Sequence, residues 1–308
     1  MAVRMIQGDC RDVLKTLSDA SVDCIVSSPP YWRQRDYDMP EQIGLESTPE
    51  EYIAQLVAVF SECRRILRPA GTCWVNLGDK WASGGNGGGG KWMLQRGHAW
   101  DHARGAKGWR KPPPGYKDKD LVGIPWMFAF AARAEGWYLR QCNIWAKPNC
   151  MPESVRDRST LAHEYVFHFT RSNDYWYDSR AARTPSAPAT LTRLTQSLDT
   201  QDGSARAHGG AKSTRMKAVG TRHSANLRTV WWVSTAQFRG AHYAVMPDRI
   251  AEICIRAGCP PGGTVLDPFG GAGTTGLVAE RLGRAAILVE LNPKIARLAE
   301  RRIAQTPH

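Results

Sequence analysis

The stretch Thr264-Val265-Leu266, followed by Gly271-x-Gly273-x-x-Gly276, constrains this chain more than any other. A short apolar run of that kind reads as a buried strand. Glycines at that spacing allow a tight turn from strand into helix, where side chains would block an approaching ligand. The next apolar run, Ala286–Glu290, ends in an acid at the place where one bonds ribose hydroxyls. Strand, glycine loop, helix and strand in this order are the unit of a mostly parallel sheet with helices on both faces.

The rest of the chain alternates in the same way. Met5-Ile6-Gln7 reads as a strand before Gly8-Asp9, and Val13, Leu14 and Leu17 mark one face of a short helix. Val22–Val26 is a buried strand that closes on Ser28. Thr48-Pro49-Glu50-Glu51 has the anatomy of a helix start, with Pro in the first turn and acids at the positive end of the dipole. Ile53, Leu56, Val57, Phe60, Ile66 and Leu67 then recur at helical spacing. Strands are expected over Gly71–Asp79, near Leu139–Trp145 and over Glu164–Phe169, and helices near Val122–Ala134 and after Pro247.

Two segments break the alternation. One holds the glycine run Gly84–Gly90 and Pro112-Pro113-Pro114-Gly115, and is expected to be a mobile insertion. The other is rich in Thr, Ser and Arg. The expected division is therefore 1–81, a basic insertion at 82–120, 121–179, a recognition segment at 180–229, and 230–308.

Charge follows the same division. The chain of 308 residues carries a formal net charge of +12. Gly88–Asp120 contributes net +5 and Arg180–Gly240 net +8, which leaves the rest close to neutral. Excess of one sign confined to two segments suits a polyanion, because each neutralised phosphate releases condensed counterions. No apolar run approaches the roughly 18 residues of a membrane span, and the N-terminus lacks signal-peptide anatomy. The eight cysteines form no Cys-x-x-Cys pair, and most sit in apolar runs as small hydrophobes. These features point to a reduced bacterial or phage-infected cytoplasm, and no metal site is expected.

By spacing alone, the glycine loop leaves nicotinamide, flavin and S-adenosyl-L-methionine open as cofactors. Its lettering is more specific. Asp267-Pro268-Phe269-Gly270-Gly271-Ala272-Gly273-Thr274-Thr275 resembles the cofactor loop of S-adenosylmethionine-dependent DNA amino-methyltransferases. Ser28-Pro29-Pro30-Tyr31 resembles their catalytic motif. The catalytic motif comes first, as in the permuted β class of that family. Phe238-x-x-x-His242-x-Ala244-x-x-Pro247, and Trp145-x-Lys147-Pro148-Asn149 leading to His163-Glu164-Tyr165, are similar to further segments of the same class. The resemblance covers about residues 5–80, 121–178 and 230–303 and omits both basic segments.

The resemblance implies a Rossmann-like methyltransferase fold with a mostly parallel seven-stranded sheet, and it assigns roles. Asp267 would take the ammonium end of S-adenosyl-L-methionine, Glu290 the ribose and Asp9 the adenine amine, while His242 would contact the methionine moiety. Phe269, Gly271, Gly273, Thr274, Thr275 and Asn292 complete the implied cofactor set. In the catalytic loop, Ser28 Oγ and the Pro29 carbonyl would accept from an exocyclic amine, whose lone pair is otherwise delocalised into the ring. Pro29 and Pro30 would stiffen the loop, and Tyr31 would stack on a base swung out of duplex DNA.

Lys147 and Arg158 are candidates for phosphate contact, with ion pairs to Glu153 or Asp157 as the competing reading. Arg206, Lys212, Arg215, Lys217, Arg222 and Arg228 are candidates for contact with double-stranded DNA. The chain has no Pro-Cys dipeptide, which sets it apart from cytosine-C5 enzymes that use a nucleophilic cysteine. Adenine N6 is the favoured target, because adenine methylation is the commoner activity of the permuted class. Ser28 in place of an acid leans instead to cytosine N4. A reading of another class is a catalytically silent DNA-binding regulator on the same fold. A homodimer is expected from the aromatic runs Trp231-Trp232-Val233 and Trp126-Met127-Phe128. The sequence names no partner restriction endonuclease.

Overall fold

Val22–Ser27 is buried at all six positions, as a strand must be when helices cover both faces of its sheet. The computed structural model describes residues 3–82, 104–105, 112–186, 224–235 and 245–305. In chain order the strands are β1 (Val3–Gln7), β2 (Val22–Ser27), β3 (Arg35–Asp36), β4 (Leu67–Leu77), β5 (Arg104–Gly105), β6 (Tyr138–Ala146), β7 (His163–Thr170), β8 (Thr184–Pro185), β9 (Ser224–Ala225), β10 (Val230–Trp232), β11 (Thr264–Asp267) and β12 (Ala285–Glu290). The helices are α1 (Cys10–Val13), α2 (Pro49–Ile66), α3 (Ile124–Ala134), α4 (Asp248–Gly258), α5 (Thr274–Arg281) and α6 (Pro293–Ala304).

Local chemistry places these elements. Thr48 caps α2: its hydroxyl accepts from the Glu51 amide while the Glu51 carboxylate accepts from the Thr48 amide. The helix stops at Ile66, just short of Leu67, the last residue in its apolar spacing. Pro69 explains the stop, since its ring disfavours helical backbone at Arg68, and Leu67 opens β4 instead.

The main sheet has eight strands in the order β1-β12-β11-β2-β4-β7-β6-β10. Neighbours are parallel except that β7 runs antiparallel to both β4 and β6. The expected seven strands become eight because Val230-Trp231-Trp232 joins the edge beside Ile144–Ala146. A run of three residues is too short to show a period of two. From β11 the chain turns one way through α5 to β12, and from β2 it turns the other way through α2 to β4. The gap between β11 and β2 is therefore the topological switch point, where open α/β sheets bind ligands.

On one face, Tyr52, Leu56, Phe60 and Cys63 of α2 and Phe128 of α3 pack on Val75, Leu77, Phe167 and Phe169 of the sheet. On the other face, α4 approaches so closely that a Cβ at Gly258 would stand 2.2 Å from Thr72 Oγ1 and 2.3 Å from Trp74 Nε1. The chain divides into two compact units, Met1–Asp178 with Thr229–His308, and Ser179–Arg228. In the described part of the second unit, β8 and β9 pair antiparallel. Among the described residues no helix is long and apolar enough to cross a membrane.

Candidate active site

Four loops leave the same edge of the sheet, after β1, β2, β11 and β12, because those strands are parallel, and Asn76 joins them from within β4. They line one cavity. Its first wall is built on β11. The strand ends at Asp267, whose carboxylate accepts from Ser27 Oγ at 2.6 Å, Thr275 Oγ1 at 2.7 Å and the Phe269 amide at 3.1 Å. Burial nevertheless pushes this carboxyl above the usual carboxylate range. Gly273 then starts α5 with a left-handed backbone, φ 80°, and a Cβ there would meet Ala299 and Ile303 of α6 at 3.1 Å. Only glycine meets both demands.

Glu290 ends β12 at the next corner of the cavity. One of its oxygens accepts from the Gly271 amide at 2.9 Å and the other from the Asn292 amide at 2.8 Å. Burial raises this carboxyl too. Asn292 in turn caps α6 through the Lys294 amide. Thr274 accepts from Arg302, which also donates to the Ala272 carbonyl, so α6 ties down the glycine loop. Asp9 lines the cavity from the end of β1, but its carboxylate is held by the amide and guanidinium of Arg11. Burial opposes its ionisation, and Arg11 outweighs burial and holds the carboxyl below its ordinary value.

The opposite wall is the Ser28–Tyr31 loop. Tyr52 reaches up from α2 and donates to the Pro30 carbonyl at 2.8 Å, which pins the turn from beneath. Ser28 Oγ donates to Asn76 Oδ1 at 3.2 Å. The Tyr31 hydroxyl lies within hydrogen-bond distance of Asn76 Oδ1, at 3.0 Å, and of Glu164 Oε2. Asn76 Nδ2 donates to Glu164 Oε2 at 3.0 Å and to the Tyr165 carbonyl at 3.1 Å, and Lys147 pairs with the other Glu164 oxygen. Burial first, and then the Glu164 charge, hold the Tyr31 phenol well above its ordinary value, so it stays protonated. Its ring lies over Gly78, where a Cβ would stand 2.7 Å from Tyr31 Cε2. In this arrangement the ring rests on the backbone at Gly78.

A family model of DNA methylases matches residues 22–301. The chain belongs to the N6/N4 DNA methylase family. Type II methyltransferase M.SmaI of Serratia marcescens is 40% identical over 302 residues, covering 97% of this chain and 90% of that protein. Type II methyltransferase M.Cfr9I of Citrobacter freundii is 41% identical over 299 residues, covering 97% and 87%. Among solved structures, the cytosine-N4-specific PvuII DNA methyltransferase aligns with a TM-score of 0.63 at 18% identity, over 99% of this chain and 86% of that one. TTHA0409 of Thermus thermophilus, solved with S-adenosyl-L-methionine, gives 0.59 at 23% identity, over 99% and 95%.

This methylase is thus an S-adenosylmethionine-dependent DNA amino-methyltransferase. Its cavity suits that cofactor. Asp267 and Glu290 line it as raised carboxyls with no ion pair among the described residues, which fits a ligand that brings positive charge and hydroxyls. Both candidates for phosphate contact sit in ion pairs. Lys147 lies inside the cavity, paired with Glu164 rather than with Glu153 or Asp157. Arg158 pairs with Glu153 at 2.6 Å and covers the Trp81 ring at 3.3 Å. Arg228 is exposed, while His242, Arg206, Lys212, Arg215, Lys217 and Arg222 lie outside the described residues. Asn76 had no place in the sequence reading, and Glu164 entered it only within His163-Glu164-Tyr165, with no role of its own. The available signals were an amide inside the apolar run Trp74–Leu77 and an acid opening the apolar strand β7.

Proposed function

We propose that the enzyme methylates the N4 amine of a cytosine rotated out of double-stranded DNA, as the modification half of a Type II restriction–modification pair. One observation carries the catalytic reading. The Ser28–Tyr31 loop and the Asp267–Gly273 loop face each other across a single cavity at the switch point of the sheet. S-adenosyl-L-methionine supplies an activated methyl on its sulfonium. The chain's own part is to hold the amine for in-line attack, which is mostly a matter of proximity and orientation. Ser28 Oγ and the Pro29 carbonyl accept the two N–H bonds and let the nitrogen pyramidalise.

The choice of cytosine over adenine departs from the expectation drawn from class frequency. Ser28 supports it, because serine in place of an acid at this position leans to cytosine-N4 enzymes. The cytosine-N4 specificity of the PvuII enzyme agrees, although that similarity rests on fold. Nucleoside mass spectrometry on DNA from cells expressing the chain tests the proposal, with the Ser28→Ala variant as control. N4-methylcytosine is expected. N6-methyladenine would overturn the target base, and no modified base at all would favour the silent regulator.

We further propose a homodimer. Trp231 is buried, but Trp232 is 74% exposed, and Trp126 and Phe130 form an exposed ring pair on α3. Light scattering is expected to give twice 34.2 kDa, and a monomer mass with and without DNA would rule the dimer out.

A further inference from the structure

We propose that Asn76 is a positioning residue that turns Ser28 into a pure hydrogen-bond acceptor, doing for serine what ionisation does for the acid found in related motifs. The proposal rests on the reading of Ser28 as an acceptor for the target amine. A hydroxyl is ambiguous, because it donates one hydrogen bond and accepts two, whereas an ionised carboxylate only accepts. A serine whose proton pointed at the substrate would oppose an N–H bond instead of holding it.

The donors and acceptors around Ser28 resolve that ambiguity. Asn76 Nδ2 faces two acceptors, Glu164 Oε2 and the Tyr165 carbonyl, so the amide has one satisfactory orientation and Oδ1 is turned toward the loop. Glu164 is held in place by Lys147. Both the Ser28 and Tyr31 hydroxyls reach Asn76 Oδ1, but Tyr31 has a single proton and a stronger acceptor in the Glu164 carboxylate. Asn76 Oδ1, together with the Tyr31 oxygen that also interacts with Ser28, is thereby left for the Ser28 proton. The lone pairs of Ser28 Oγ then point into the cavity, which Ser28, Asn76, Lys147 and Glu164 all line. Asn76 never needs to touch the base.

A double-mutant cycle on the whole protein tests this, with kcat, KM for DNA and the dissociation constant of S-adenosyl-L-methionine read for every variant. Asn76→Ala, and the nearly isosteric Asn76→Leu as a second route should the first fail to fold, are expected to lower kcat about 10- to 100-fold, the size of a lost hydrogen-bond partner. Cofactor affinity and KM should stay within about twofold of the parent if Asn76 acts only through Ser28. In a Ser28→Ala background the same substitutions should cost no further kcat, because residues acting as one unit are not additive. Tyr31 keeps Glu164 as a partner throughout. Wild-type turnover by Ser28→Ala would remove the underlying reading of Ser28. A slow Ser28→Ala enzyme in which loss of Asn76 multiplies the defect in full, or an Asn76 variant with unchanged kcat, would overturn the positioning role and leave that reading standing.

Discussion

Ser27 Oγ donates a 2.6 Å hydrogen bond to Asp267 Oδ1 across 240 positions of the chain. Each residue ends its strand, β2 and β11, on either side of the switch point. The contact joins the start of the catalytic loop to the acid of the cofactor loop, so both walls of the cavity share one buried polar contact.

Asp267 is expected to control cofactor affinity and its pH dependence. Burial raises its pKa, so its charge is present above the raised value and is lost as pH falls through it. Affinity for a cationic ligand should therefore weaken on acidification. Asp267→Asn should weaken binding about 10- to 100-fold at neutral pH, equivalent to roughly 1.5–3 kcal/mol for hydrogen bonds to a charged group, and should flatten the pH dependence. Calorimetric titration of the cofactor from pH 5 to 8 measures both. A wild-type slope in the variant would assign the dependence to another group.

Gly78→Ala should separate catalysis from cofactor binding. The new methyl would stand 2.7 Å from Tyr31 Cε2 and would push the ring off the Asn76–Glu164 network. Turnover should fall about 10- to 100-fold, as expected for a displacement near 1 Å, while cofactor affinity stays the same. Single-turnover methyl transfer beside a binding titration reads the two apart, and equal losses in both would contradict the assignment.

His168 should make the fold acid-sensitive. It is buried flat against Trp74, with ring centroids 4.0 Å apart, and its Nε2 has no hydrogen-bond partner among the described residues. Burial, helped by the positive charge of Arg140, lowers its pKa from 6.5 to about 3. Between those values the unfolded chain binds the proton that the folded chain refuses, so stability is lost as pH falls through that window. The contribution approaches about 1.4 kcal/mol per pH unit. His168→Phe should remove that part of the slope in urea unfolding at pH 7, 6, 5 and 4. Identical slopes would show that other groups carry the acid sensitivity.

DNA affinity should depend on the basic segments. Replacing Lys212, Arg215, Lys217 and Arg222 with Gln should flatten the dependence of log K on log salt by about 0.9 for each lost phosphate contact. Binding titrations between 50 and 200 mM salt measure it. An unchanged slope with unchanged sequence preference would place recognition elsewhere.

By itself the sequence determined what contiguous residues decide. Thr48 and Glu51 start a helix because the two orphan amides they satisfy lie within one turn. Gly273 permits a left-handed turn whatever surrounds it, and six buried positions from Val22 to Ser27 require a sheet covered on both faces. The alternation of such units fixes an α/β sheet and places the cofactor loop. The partners of polar side chains were decided elsewhere. Glu164 meets Asn76 because β7 inserts antiparallel beside β4, and Lys147 turns inward because β6 delivers it to the same edge. No local rule foretells those pairings. A charge on an isolated segment reads as solvated, and only the sheet order shows which opposite charge shares its burial.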